Sequence, residues 1–147
     1  MNRAVLQKEF NKEEIDILKN DTKTLSSFFD TKNDGSVVYV LENLGRLENG
    51  DSKDPLLKLL NNKNENIRLL AIKNLAKIGD VSLLEVFLKF AQQDESTEVR
   101  RESVSAIGRL RNEKAISILI KFLSDRDQKV TMQAIRGLLI FSKNNLV

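Results

Sequence analysis

The residues IRLLAIKNLAKI at positions 67–78 return in altered form as VRRESVSAIGRL at positions 99–110. Two further copies are SVVYVLENLGRL at 36–47 and VTMQAIRGLLIF at 130–141. When Leu44, Leu75, Ile107 and Leu138 are aligned, they lie 31, 32 and 31 residues apart. Within each copy the apolar residues recur at helical spacing, which predicts an amphipathic helix with one buried stripe. The chain is therefore built from four repeats of about the same length.

The other columns of this alignment support the same register. Apolar residues fill two of them, and a third holds the small residues Gly45, Ala76 and Gly108, from which Leu139 departs. The apolar columns are Leu41, Ile72, Val104, Ile135 and Leu47, Ile78, Leu110, Phe141. Small residues on a buried stripe predict a close approach of a neighbouring helix at that position.

Each of these helices, called B helices, is preceded by a residue that suits a helix N-cap. The four residues share one repeat position and are Asn33, Asn64, Ser96 and Asp127. A shorter helix, called A, is predicted before each B helix, at 22–30, 54–60, 82–90 and 115–123. Its matched core positions are Leu25, Leu56, Val86, Leu119 and Phe29, Leu60, Phe90, Leu123. From Phe90 to Val99 the third link is two residues longer than the second and fourth links.

These helix pairs predict a single domain over 1–147. Its repeats span 22–48, 53–79, 81–111 and 115–142. Asn11 with Glu14 is a capping-box signature, and it predicts a short helix at 11–20 that covers the open face of the first repeat.

Composition narrows the function. The 147 residues contain no Cys, His or Trp and one Tyr, which excludes disulfides and thiolate metal sites and removes the usual general base. We expect no catalytic residues, no metal and no cofactor, although the loop acids Asp94, Glu95, Asp125 and Asp127 are possible ligands for a divalent cation. No secretory signal or membrane span is recognisable, which predicts a cytoplasmic protein.

The repeats resemble the HEAT-repeat superfamily, and in particular the short bacterial and archaeal HEAT-like repeats of the phycobilisome-lyase type. The residues that carry the resemblance lie in 67–79, from Ile67-Arg68 to Ile78-Gly79, and in 99–110, from Val99-Arg100 to Leu110. The resemblance covers about 22–142. It implies an all-α, right-handed α-solenoid of about four helix pairs, with the B helices lining its concave face.

A row of cations follows the B helices. Arg46, Lys77 and Arg109 share one position, Lys73 and Arg136 share a nearby one, and Arg101 is close to them. The net charge is +3. The row predicts a basic concave face that binds an anionic partner, but cations in a last helical turn also offset the helix dipole, and Glu42 and Glu102 weaken any field.

The leading hypothesis for function is a non-catalytic macromolecule-binding or scaffolding module that uses this face, with a protein as the partner. Because HEAT-like modules also occur beside DNA-modifying enzymes, the alternative is a nucleic-acid-associated accessory module, as for a DNA methyltransferase. A third interpretation is a protein similar to a bilin lyase.

Arg68 and Arg100 are expected to bond acidic or carbonyl groups between repeats.

The fourth B helix breaks the surface pattern. Ile140 replaces the basic residue, Leu139 replaces the small one, and no polar capping helix follows. Since solenoids normally shield such an end, we expect either self-association through the last repeat or a chain that continues.

Overall fold

The computed structural model describes residues 22–44 and 53–143, with side chains described from residue 26 onwards. Within these residues the chain forms eight α-helices and no strand. The helices are α1 Thr22–Phe29, α2 Asp34–Asn43, α3 Lys53–Leu59, α4 Glu65–Ile78, α5 Leu84–Gln93, α6 Thr97–Arg109, α7 Lys114–Lys121 and α8 Gln128–Lys143. Short 3-10 turns, Val81–Leu83 and Phe122–Ser124, precede α5 and follow α7. The predicted cap at 11–20 lies outside the described residues.

The helices alternate between the shorter A type (α1, α3, α5, α7) and the B type (α2, α4, α6, α8). All four predicted B-helix caps are confirmed. The side-chain oxygens of Asn33 and Ser96 accept from the backbone N–H three residues on, and those of Asn64 and Asp127 accept from the N–H two residues on. These bonds satisfy helix N–H groups that have no partner within the helix, so each B helix starts where the sequence places it.

In the first compact unit, Met1–Ile78, α4 packs against α2 and α3. Leu41, Ile72 and Leu75 are buried, as their repeat columns predict. Asn74 is also buried, and its Nδ2 donates to the carbonyl oxygen of Leu41 at 3.0 Å and of Leu70 at 2.8 Å. The first of these bonds joins two B helices, because Leu41 lies in α2 and Asn74 in α4.

In the second compact unit, Gly79–Val147, the B helices α6 and α8 approach closely at two glycines. A Cβ atom on Gly108 would lie 3.6 Å from the Cα of Gly137. The small-residue column thus marks a real approach of helices on α6. On α8 the facing residue is Gly137 and not Leu139, which is 62% exposed. A Cβ atom on Gly137 would lie 2.9 Å from Cδ1 of Leu119, so α7 closes on the same point.

The predicted register of two A helices is wrong. In α5 the fully buried residue is Phe87, whereas Val86 and Phe90 are half-buried. Phe87 lies 12 residues before Val99, and the corresponding spacing from Leu56 to Ile67 is 11, so the third link carries one extra residue instead of two. After α7, Phe122 is buried and Leu123 is 40% exposed. A 3-10 turn has three residues per turn, so the residue that follows Leu119 on the same side is three positions on.

Candidate binding groove

The structure brings together three of the six residues predicted for the basic face. Arg101 and Arg109 lie in α6 and Arg136 in α8, all within the second unit. Lys73 and Lys77 lie in α4 of the first unit, where Lys77 is exposed and Lys73 half-buried. Arg46 lies outside the described residues. A basic face that runs along all the repeats therefore stays a prediction. The cations that the structure brings together lie on α6 and α8.

A groove separates these two helices. Its first segment, of about 410 Å³, is lined on the α6 side by Glu98 and Arg101. The α8 side contributes Gln128, Lys129, Met132, Gln133 and Arg136. Arg136 and Lys129 are exposed, and among the described residues Arg136 has no ion-pair partner. This end of the groove is cationic, with an exposed thioether between its charges.

The second segment, of about 320 Å³, continues along the same two helices, and Gln133 lines both segments. Its charged side chains are Arg109 and Arg111, and Ile140 of α8 lies in the same segment with 46% of its surface exposed. The remaining lining residues are Val104, Ser105, Gly108 and Gly137. The two glycines at which α6 and α8 approach closely therefore line this segment as well.

One carboxylate lies among these cations. Glu98 is 3.3 Å from both Arg101 Nη2 and Lys129 Nζ. The hydrogen bond from Lys129 lowers the pKa of the Glu98 carboxyl below its ordinary value, and the positive charge of Arg101 adds to this, whereas partial burial opposes it. Glu98 therefore stays ionised in the groove at neutral pH and engages two of the five cations that line it.

This network makes a testable contribution to stability. Since the folded-state pKa of Glu98 is depressed, its contribution is present above the ordinary value of 4.5 and is lost as the pH falls through the folded-state pKa. We expect Glu98→Gln to lower the free energy of unfolding at neutral pH by less than about 1 kcal/mol, because the group is largely exposed. Chemical unfolding across an acid pH series should show the difference from wild type disappearing. Glu95→Gln, an exposed carboxyl without an ion pair in the described chain, is the control; an equal effect there would contradict the assignment.

Arg111 was not predicted as a site residue, although the alignment contains a signal for it. Arg111 occupies the repeat position of Gly79, one full repeat later, and both residues have positive φ, +52° and +72°. Gly79 follows the end of α4 and adopts this conformation without steric cost. At Arg111 the left-handed conformation costs about 1–2 kcal/mol, because Cβ crowds the backbone. The side chain that this strained residue carries lines the groove.

The two buried arginines Arg68 and Arg100 hold loops in place. Arg100 Nη1 donates to the carbonyl oxygens of Asp94 at 3.1 Å and Glu95 at 3.5 Å, and its Nη2 lies 3.7 Å from Oδ1 of Asp125. Arg68 Nη1 donates to two carbonyls of the corresponding loop, those of residues 62 and 63. These carbonyl acceptors belong to the arginine's own repeat, whereas Asp125 belongs to the next repeat, so the ion pair of Arg100 joins successive repeats as expected.

The side chains of the loop acids accept hydrogen bonds from backbone N–H groups. Oδ1 of Asp94 accepts from the N–H of Ser96, and Oδ1 of Asp125 accepts from the N–H of Asp127. Asn62 and Thr31 make the same bond at the same repeat position. Each bond closes a short turn that ends at the N-cap residue of a B helix. In the part of the chain that the structure describes, no three acidic side chains gather where they could hold a metal ion.

The fold and its repeats define an all-α protein of stacked helix pairs, which confirms the predicted class of α-solenoid. The family model for HEAT repeats matches residues 38–95 and 84–145. These matches cover well over half of the sequence, and the chain belongs to the HEAT-repeat family. Proteins of this class generally act in protein interaction.

Solved structures agree with this assignment. The complex of CpcE and CpcF of phycocyanin lyase from Nostoc sp. PCC7120 is similar with a TM-score of 0.61 and 24% identity, over 81% of this chain and 78% of that one. An engineered protein is similar with a TM-score of 0.56 and 17% identity, over 87% of this chain and 66% of that one. At such identities the likeness concerns the fold. No curated protein matches the sequence.

None of the helices within 22–44 and 53–143 combines the length and apolar character needed to cross a membrane.

Proposed function

We propose that this protein is a non-catalytic protein-binding module, and that the groove between α6 and α8 holds an acidic segment of its partner. The observation that carries the proposal is the charge of the groove. Five cations line it, and they are opposed by one carboxylate, that of Glu98. The cations are Arg101, Arg109, Arg111, Lys129 and Arg136. Because opposite charges attract over the length of a groove, acidic segments are steered to it.

The other lining residues favour a protein over a nucleic acid. Met132 and Ile140 expose 50% and 46% of their surface beside the cations, and such side chains bury apolar residues of a peptide. Gln133, at the junction of the two segments, offers an amide that donates and accepts, as a peptide backbone does. No aromatic side chain is among the described residues that line the groove, so bases have no ring on which to stack.

The proposal is tested by reversing the charge of the groove. The double variant Arg101→Glu with Arg136→Glu should weaken the binding of a labelled Asp- and Leu-containing peptide by about tenfold or more at low salt. Fluorescence anisotropy measures the affinity. The matched control is Lys114→Glu with Lys121→Glu, which reverses two exposed cations of α7 that do not line the groove.

Duplex DNA is titrated beside the peptide. Tighter binding of DNA, with an affinity that falls steeply with salt, would support the nucleic-acid alternative and overturn the choice of a protein partner. Equal losses in the groove and control variants would show that net charge, and not the groove, attracts the peptide. Binding of neither ligand would refute both interpretations.

The wider predictions stay proposals. Arg46, Lys73 and Lys77 would extend the basic face over earlier repeats, and binding by variants of these residues tests that extension. Self-association through the last repeat is a separate hypothesis, which the exposure of Leu139 and Ile140 on α8 supports. Sedimentation of the chain at high concentration tests it.

A further inference from the structure

Arg111 gives the second segment of the groove a feature that helix packing does not require. Gly79 fills the same repeat position, and glycine suits a positive φ better than arginine does. The N–H of Arg111 donates to the carbonyl of Gly108 at 3.3 Å, a bond that any residue there can make. The residue with this strained backbone places a second cation beside Arg109, at the end of the groove away from Glu98.

The cations form two groups along the groove. The first group is Arg101 with Lys129, and the second is Arg109 with Arg111. Arg101 and Arg109 are eight residues apart on α6, so these two groups are separated by about 12 Å at 1.5 Å per residue. Arg136 shares the repeat position of Ser105 and lies between the groups. An extended peptide advances about 3.3 Å per residue, so about four residues span this distance. Each group also has an exposed apolar residue from α8 in its segment, Met132 with Arg101 and Ile140 with Arg109.

Gln133 favours an extended ligand. It lies where the two segments meet, and its amide can bond the backbone N–H and C=O groups that an extended segment leaves free. The backbone groups of an α-helix are already bonded to one another.

We infer that the groove recognises an extended peptide segment with two acidic residues about four positions apart, one for each group of cations. The first acidic residue competes with Glu98 for Arg101 and Lys129. The second binds Arg109 and Arg111. This inference rests on the proposed function and adds the spacing of the charges, which the proposed function leaves open.

The experiment compares labelled two-Asp peptides of identical composition and net charge, which differ only in the spacing of the Asp residues. Two Asp residues are placed at the inferred spacing, at half that spacing and at twice that spacing, and a single-Asp peptide is the reference. Fluorescence anisotropy with the whole chain should give the tightest binding at the inferred spacing, by about fivefold over the single-Asp peptide, the order expected for one exposed ion pair. Equal affinity for all spacings would overturn the inference and leave the proposed function standing. A complete lack of peptide binding would instead refute the proposed function.

Arg111→Gly separates binding from folding. The variant relieves the strained backbone, so its thermal unfolding midpoint should equal or exceed that of wild type. It should nevertheless bind the two-Asp peptide about fivefold more weakly, with no change for the single-Asp peptide. An unchanged affinity for the two-Asp peptide, in a variant that is folded by circular dichroism, would show that Arg111 does not form the second anchor.

Discussion

Replacing Phe87 by Ala is expected to lower the free energy of unfolding by about 3–5 kcal/mol, the range for a large buried aromatic residue. Phe87 is 0% exposed and is among the largest fully buried side chains of the described chain. Its removal loses the transfer free energy of the ring and leaves a cavity that the neighbouring helices can only partly fill. Equilibrium unfolding in urea, with the slope compared between variant and wild type, measures the change.

Phe90→Ala is the matched control, because it removes the same side chain from the same helix. Phe90 is half-buried, and Lys89 Nζ lies 5.8 Å from its ring centre, on the exposed side of α5. We expect a loss of about 1 kcal/mol, as for an ordinary partly exposed site. If Phe90→Ala costs more than Phe87→Ala, the register taken from the sequence alignment is right and that of the structure is wrong.

The bounds and the buried faces of the B helices were predictable because several independent features of the sequence agree on them. Four copies share the columns, and each copy begins with a residue whose side-chain oxygen bonds the first turn. Val40, Ala71, Ser103 and Ala134 share a further repeat position, and all four are buried. A shift of one residue in any helix would break several agreements at once, so the sequence alone determined the register.

The A helices lacked this redundancy. They are short, they have no shared cap, and 3-10 turns adjoin α5 and α7. Such a turn changes the angle per residue from about 100° to 120°, which moves the buried position by one residue within a single turn. For this reason Phe122 is buried after α7 instead of Leu123, the residue predicted from the repeat columns. The fourth B helix shows a second limit, since Ile135 and Leu138 follow the repeat columns but are only half-buried on the last helix.

Only part of the groove was predictable, because its composition depends on neighbours across repeats. The row of cations along the B helices pointed to Arg101, Arg109 and Arg136, whereas Lys129 and Arg111 were not recognised. The signal for it is the pair Glu98 and Lys129, which share one repeat position 31 residues apart and form an ion pair. Asn64 and Asp34, 30 residues apart and one position away from a shared column, are also bonded across two repeats. Polar residues of one column in successive repeats are therefore candidates for contact, and comparing charges column by column would have identified Lys129.

Arg100 is expected to make a large contribution to stability, because its buried side chain bonds the loop that precedes α6. It is 2% exposed, and its guanidinium bonds two loop carbonyls and faces Asp125. Arg100→Ala should lower the free energy of unfolding by about 2–5 kcal/mol, because it leaves buried acceptors and a mostly buried carboxylate without their cation. Denaturant unfolding of the variant measures this loss.

Arg100→Lys should restore little of it, since an ammonium cannot reproduce the planar fork that reaches the carbonyls and Asp125 together. The matched control is Thr131→Ala, at the same repeat position of α8, where the hydroxyl makes one long bond of 3.4 Å to the carbonyl of Asp127. That change should cost under about 1 kcal/mol. Two results would argue against a role for Arg100 in holding the loop: full rescue by Lys, or a cost for Arg100→Ala no larger than that of Thr131→Ala. Either would mean that the preceding turn is held by Asp94 and Ser96 alone, through the bond from the Ser96 N–H to the Asp94 carboxylate.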